Sequence, residues 1–490
     1  MKSRRLNVSE DLQTTLRNQS RSSNLINAVE NSDPIPTDLM IDILWRLSAK
    51  SIARCRCVSK HWASILGLPY FTELFLTKSS ARPKLLFACE KDSELIFFST
   101  PQPQNPDESS SSSLAATYHM KIPFGGTCHV FSPIHGLSFI RDEQTFKLVS
   151  VICNTSTGQT LTLPKPKTRK RIYITSYFGY DPLGKRFKVL SMTQRDGISN
   201  EHQVLTLGTK KPSWRMIECC IPHHPTSDGI CINGVLYYQA SVNISSSISM
   251  IVCFDVRSEK FNFIKVMEPF TRVRVATLVN YNGKLALVTS ERSSYICERR
   301  RRFEMWVLKD PEKHEWSKYV YELSHLWQCV LAEKLLNFVG VTGSTNEIVF
   351  MPVHPSDPFY VLYYSLERNT NRVVEIQGMG AFKSYLPRVH IFLDHVEDGW
   401  NRVSEKTNFS GKNHIDLWSF HSGQGDMCFA LVLSDHVGID VAVGPDDDGH
   451  DNVVPDDAVH DQKDVPDDVI HEKAVPNNLA GYYLKDGSHL

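Results

Sequence analysis

The nine residues Arg54-Cys-Arg-Cys-Val-Ser-Lys-His-Trp62 hold two thiols, an imidazole and several cations. Thiolate and imidazole ligate zinc, a thiol among cations is an activated nucleophile, and cations beside an aromatic ring contact nucleic acid. A second dense group, Cys219-Cys-Ile-Pro-His-His224, packs zinc-ligand types into one short stretch. Neither has the CxxC spacing of a zinc ribbon, and adjacent pairs rarely supply four tetrahedral ligands. No metal is therefore expected at either, and 219 to 224 reads as a strand end running into a loop. His450, His460 and His471 recur within an acidic repeat, and duplication without function is the simpler reading than weak chelation.

Other chemistry is equally sparse. The chain has no nucleophile elbow, no phosphate-cradling glycine loop and no HExxH, and its carboxylate pairs are scattered. No catalytic residue and no cofactor are expected. The runs Lys165-Pro-Lys-Thr-Arg-Lys-Arg171 and Arg299-Arg-Arg-Arg302 read as solvated loop tips before nuclear-import signals, and as import signals before nucleic-acid patches. The 54 basic and 54 acidic residues cancel, so no global field draws in nucleic acid or an anionic membrane. No apolar run is long enough to span a bilayer, and the N-terminus lacks the apolar segment of a secretory signal. Twelve scattered cysteines make no disulfide framework. A reduced protein of the nucleus and/or cytoplasm is expected.

The elements that must position these residues change texture along the chain. Residues 1 to 32 are polar and read as a disordered leader. Residues 33 to 78 read as three short helices: one over about 38 to 47, opened by Pro36 with Thr37 or Asp38 as cap, one near Ser51 to Cys55, and one capped by Ser59 and running to Leu66. From 84 to 398 short β-branched and aromatic runs alternate with turns. Residues 399 to 440 are an uncertain extension. Residues 441 to 490 repeat a Val-Pro-Asp-Asp unit, with eleven acids against two lysines between 444 and 476, and read as a disordered acidic tail.

The first helix is apolar on more than one face, since Asp38, Asp42 and Arg46 are its main polar residues. One face packs on neighbouring helices. Forty-odd residues in three helices bury too little surface for comfortable stability, so a second face needs a partner in this chain or another. Ile35, Leu39 and Ile43 form the i, i+4, i+8 stripe that would meet it. The spacing Ile35-Pro36-x-Asp38-Leu39-x-x-Asp42-Ile43-Leu44-x-Arg46-Leu47, then Lys50-Ser51-Ile52-x-Arg54-x-Arg56-Cys57-Val58-Ser59-Lys60-x-Trp62, then Pro69-x-Phe71, resembles a plant F-box. Asp42 stands where Glu is usual and Ser48 where Pro often follows Arg-Leu, a change expected to loosen the first inter-helix turn. The resemblance implies that Ile35, Pro36, Leu39, Ile43, Leu44, Val58 and Trp62 bind a Skp-type adaptor or pack the helices that do. Cys57, Val58 and Trp62 are expected to pack, and Arg54, Arg56 and Lys60 to form a solvated or adaptor-facing cationic edge.

Downstream, hairpins centred near residues 135, 182, 233, 282 and 344 lie about 47, 51, 49 and 62 residues apart. Asn233-Gly234 and Asn282-Gly283 are type I′ signals. A second hairpin type falls between them, at 151–163, 251–263, 303–316 and 360–374, and 84–98 supplies a further one. Two hairpins per repeat make four-stranded units, and units closed into a ring make a β-propeller, of six or seven blades with six favoured. A two-sheet sandwich is the weaker reading. The segments Gly229–Tyr238, Cys253–Val256 and Asp394–Glu397 resemble the plant F-box-associated domain of the third type. The resemblance implies a substrate receptor of an SCF-type ubiquitin ligase, joined through the adaptor to cullin and RING subunits and holding an unknown target on the propeller. A propeller scaffold with a degenerate F-box is the alternative.

Overall fold

The computed structural model describes residues 35–105, 111–144, 147–168, 173–195, 198–209, 211–242, 249–266, 276–290, 295–297, 300–323, 335–379 and 388–398. The expected leader, the extension and the acidic tail lie outside the described residues, as do parts of both basic runs.

Four helices open the described chain, one more than expected: α1 (Thr37–Leu44), α2 (Ala49–Cys55), α3 (Lys60–Leu66) and α4 (Pro69–Ser80). Pro36 is the N-cap of α1, its carbonyl accepting from the Met40 amide at 3.1 Å, and neither Thr37 nor Asp38 caps the helix by a side chain. The helix stops before 47 because the amides of Arg46 and Leu47 bond only three residues back, tightening the last turn. Ser48, where Pro is usual, has a capping role of its own. Its hydroxyl accepts from the Ser51 amide at 3.2 Å and caps α2, as Ser59 caps α3 through the Trp62 amide at 3.1 Å. Pro69 sits in the first turn of α4, where a missing N–H is harmless, and starts that helix. Leu44, Ile52, Leu66, Phe71 and Phe75 form the shared core of the four.

From Lys84 onward the described residues form six sheets. Blade 1 contains β1 (Lys84–Lys91), β2 (Glu94–Pro101) and, after a detour through β3 (Ser111–Ala115), β4 (Thr117–Pro123). Blade 2 is β5 (Thr127–Val130), β6 (Leu137–Gln144), β7 (Lys147–Asn154) and β8 (Gln159–Thr162). Blade 3 is β9 (Tyr173–Asp181), β10 (Arg186–Arg195), β11 (Ile198–Thr206) and β12 (Arg215–Ile217). Blade 4 is β13 (His224–Pro225), β14 (Ile230–Ile232), β15 (Val235–Ser241), β16 (Ser249–Asp255) and β17 (Lys260–Lys265). Blade 5 is β18 (Thr277–Tyr281), β19 (Lys284–Thr289), β21 (Arg302–Asp310) and β22 (Glu315–Glu322), while β20 (Tyr295–Ile296) pairs into blade 6. Blade 6 is β23 (Leu336–Val341), β24 (Glu347–Pro352), β25 (Phe359–Ser365) and β26 (Thr370–Gln377). This is a six-bladed β-propeller.

The tips follow the turn chemistry. Asn233 and Gly234 have φ of 50° and 84°, and Asn282 and Gly283 have 51° and 76°, the paired positive angles of type I′ turns. The ring closes twice over. The last strand, β27 (Val389–His395), pairs antiparallel with β1, while β3 leaves blade 1 to pair parallel with β26 of blade 6. Each terminal blade thus borrows a strand from the other end of the propeller, which covers edges that would otherwise template aggregation.

Candidate functional site

Helix α1 divides its apolar residues sharply. Met40, Ile41 and Leu44 are buried in the helical core, whereas Ile35, Leu39 and Ile43 are 57, 56 and 55% exposed. A four-residue spacing returns nearly to the same side of a helix, so Leu39 and Ile43 lie one above the other, with Ile35 just ahead of the first turn. Pro36 is exposed beside them. Val58, in the α2–α3 turn, is 67% exposed, and Cys57 beside it is exposed too, so neither packs as expected. Leu44 is only 2% exposed, and Trp62 is partly buried against the helical core. Arg54 and Lys60 are solvated, but Arg56 turns inward and donates to the Leu66 carbonyl at 3.4 Å, leaving the expected cationic edge one member short.

Trp45 fastens α1 to α4. Its indole N–H donates to Asp42 Oδ1 at 2.9 Å, while Lys78 and Arg82 lie 5.0 and 5.6 Å from its ring centroid. Asp42, where Glu is usual, also pairs with Arg46 at 2.9 Å. The substitution therefore keeps a carboxylate that holds the turn.

The Asp394–Glu397 segment is a junction between the helices and the propeller. Asp394 accepts from the Gln102 side chain at 2.7 Å and the Gly343 amide at 2.8 Å, tying β27 to blades 1 and 6. Its burial raises the carboxyl pKa, against the lowering effect of those two donors. Glu397 accepts from the Ala49 amide, the first of α2, at 3.2 Å and pairs with Lys84 at the start of β1. Burial opposes ionisation of Glu397, but Lys84 and the Ala49 amide outweigh it and hold the pKa below the usual range. Sequence reasoning marked this segment as family-like without finding its work, because its partners are remote in the chain.

The inner strands enclose a cavity of about 1080 Å³. Phe131, Asp228, Asn280, His354, Arg388 and Asp394 are among its lining residues, so it offers both signs of charge and an aromatic face. Of the basic runs, Lys165 and Lys167 are exposed, and the Arg300 guanidinium lies 5.7 Å from the Tyr295 ring. Residues 219 to 223 of the cysteine and histidine group fall on the connector between blades 3 and 4, and His224 opens β13.

Comparison with known proteins agrees with both halves. Residues 34–74 match the F-box domain family and residues 84–396 match the F-box associated beta propeller domain family. The F-box protein DOR of Arabidopsis thaliana is 63% identical over 404 residues, covering 81% of this chain and 99% of that protein. F-box only protein 12 of the same plant is 43% identical over 371 residues, covering 74% of this chain and 81% of its own length.

Proposed function

The chain belongs to the F-box proteins that carry an F-box associated β-propeller, and we propose that it is the substrate-recognition subunit of an SCF-type ubiquitin ligase. In this reading Ile35, Pro36, Leu39, Ile43 and Val58 dock on a Skp-type adaptor, while Leu44 and Trp62 hold the helices that present them. The adaptor joins the chain to cullin and RING subunits, and the propeller holds a target protein by the loops around its cavity. Transfer chemistry belongs to the partners, so this chain supplies no catalytic group. It acts in the nucleus and/or cytoplasm.

The observation that carries the reading is the stripe of Ile35, Leu39 and Ile43, left more than half exposed along and just ahead of a helix whose other apolar residues are buried. Burying each would be worth up to about 1.5–3 kcal/mol. The test is co-precipitation of the purified full chain with a Skp-type adaptor. Wild type is expected to bind, and binding is lost when Pro36, Leu39 and Ile43 are replaced together by alanine. Failure of the purified wild type to bind would overturn the ligase reading and leave the scaffold with a degenerate F-box.

A further inference from the structure

The connector between blades 3 and 4 brings Cys219 and His223 against His202 of β11. One ring nitrogen of each histidine and the Cys219 Sγ all lie within 4.8 Å of one another. His202 and His223 are 3 and 0% exposed, and Cys219 is partly buried above them. The Nε2 of His202 is buried with no hydrogen-bond partner among the described residues. Such a buried group is costly unless a hydrogen-bond partner or a cation reaches it. The connector is already held in place, since the Ser199 amide donates to the His223 carbonyl at 2.8 Å.

We propose that His202, Cys219 and His223 form a binding site for a zinc ion, with water in the fourth position. Two imidazoles and a thiolate are the donor set of zinc and exclude magnesium and calcium, which take oxygen. Ligand atoms on a zinc tetrahedron stand about 3.3–3.8 Å apart, so the connector closes by about 1 Å. The thiol proton leaves to solvent as the Zn–S bond forms. His223 Nδ1 now donates to the Ile221 carbonyl at 2.8 Å, while Nε2 faces the Tyr238 hydroxyl at 2.7 Å. Coordination through Nδ1 moves the ring proton to Nε2, where the Tyr238 oxygen accepts it. The Tyr238 hydrogen has a second acceptor, Met192 Sδ at 3.6 Å, so the exchange strands no donor, while the Ile221 carbonyl gives up its His223 and Cys219 donors and takes the zinc-bound water instead. An oriented second partner of this kind accompanies most zinc-bound histidines. Phe261 and Phe263 meet the two imidazoles edge-on and keep bulk water from the site.

The proposal departs from the expectation of no metal at 219 to 224. That stretch supplies only two of the ligands, and the third comes from a strand that only β-pairing brings near. The ion would staple the connector across the boundary between blades 3 and 4.

The test uses the full chain, stripped of metal by a chelator and titrated with Co²⁺, then with Zn²⁺. One equivalent of Co²⁺ is expected to give a thiolate-to-cobalt charge-transfer band with four-coordinate d–d intensity, and Zn²⁺ is expected to displace it. Histidines of the acidic tail cannot give a thiolate band. C219S and H202N, checked for native circular dichroism, should lose the band, while C220S should keep it. Tyr238→Phe should bind about 10- to 100-fold more weakly. A wild type that develops no thiolate band overturns the proposal without recourse to any variant. So does a band that survives C219S or H202N, or one lost in C220S.

Discussion

Replacing Ile35, Leu39 and Ile43 together by alanine should weaken adaptor binding by roughly 30- to 800-fold while leaving the fold almost as stable as before. The side chains are 57, 56 and 55% exposed, so a partner has about half of each left to cover. At about 1.5–3 kcal/mol for complete burial, that half is worth about 0.8–1.6 kcal/mol each. Alanine retains the Cβ, which brings the sum to about 2–4 kcal/mol. Leu44 provides the contrast on the same helix. It is 2% exposed, so Leu44→Ala should cost about 2–5 kcal/mol of stability and disturb binding only through the fold. Calorimetric titration of adaptor into each full-length variant, with thermal unfolding of the same samples, separates the two effects. A triple variant that binds like wild type, or that loses as much stability as Leu44→Ala, would refute the assignment of the stripe.

Three further outcomes follow from the propeller. Arg372 makes a two-pronged pair with Glu347 at 3.1 and 2.6 Å, both side chains being nearly inaccessible, so Arg372→Leu strands a buried carboxylate and should cost about 3–5 kcal/mol in urea unfolding; a loss below about 1 kcal/mol would refute this. Gly136 and Gly158 share a φ of 79°, but a Cβ at Gly136 would stand 2.9 Å from the Asp398 backbone nitrogen, whereas at Gly158 it meets nothing within 4 Å. G136A should therefore lower the unfolding midpoint clearly more than G158A, and equal shifts would contradict the packing. Burial, with His119 and Lys84 and against Glu397, lowers the His395 pKa from 6.5 to about 4. The unfolded chain takes up this proton near pH 6.5 and the folded chain only near 4, so stability should fall by about 1.4 kcal/mol for each pH unit lost in that window. His395→Gln should remove that part of the slope in denaturation measured across pH, and an unchanged slope would exclude the mechanism.

The hairpins were legible because each tip needs special backbone: Asn-Gly at 233 and 282, and an Asp181 side chain that accepts from the amides of Leu183 and Gly184 at 3.1 and 2.9 Å. Their spacing narrowed the blade number to six or seven, with six favoured. What escaped notice has no local signature. β3 is mostly serine and becomes a strand because the edge of β26 lies beside it, and α4 begins at Pro69, beyond the three helices expected. In α4 Thr72, Thr77 and Ser80 turn their hydroxyls back to carbonyls four residues earlier, satisfying polar groups that carry no helix signal of their own. In the helical site the i, i+4, i+8 stripe was visible, but nothing in the sequence separated exposed Val58 from packed Trp62. The zinc ligands show the same limit, since His202 and Cys219 meet through strand pairing and not through spacing.

The sequence also posed a stability problem for the helices, which needed a partner for a second face. The propeller meets them in part, through polar contacts: Glu397 receives the first amide of α2 and pairs with Lys84, and Lys185 pairs with Glu73 of α4. A carboxylate at a helix N-terminus is favourable both as acceptor and as charge. Glu397 lies two residues beyond β27, and β27 is the strand that closes the ring on β1, so the anchor of α2 sits at the closure of the propeller. The helices are thereby tied to the propeller without spending the stripe on it. Ile35, Leu39 and Ile43 stay more than half uncovered in the folded chain, and the partner the sequence required for that face is one this chain does not supply among the described residues.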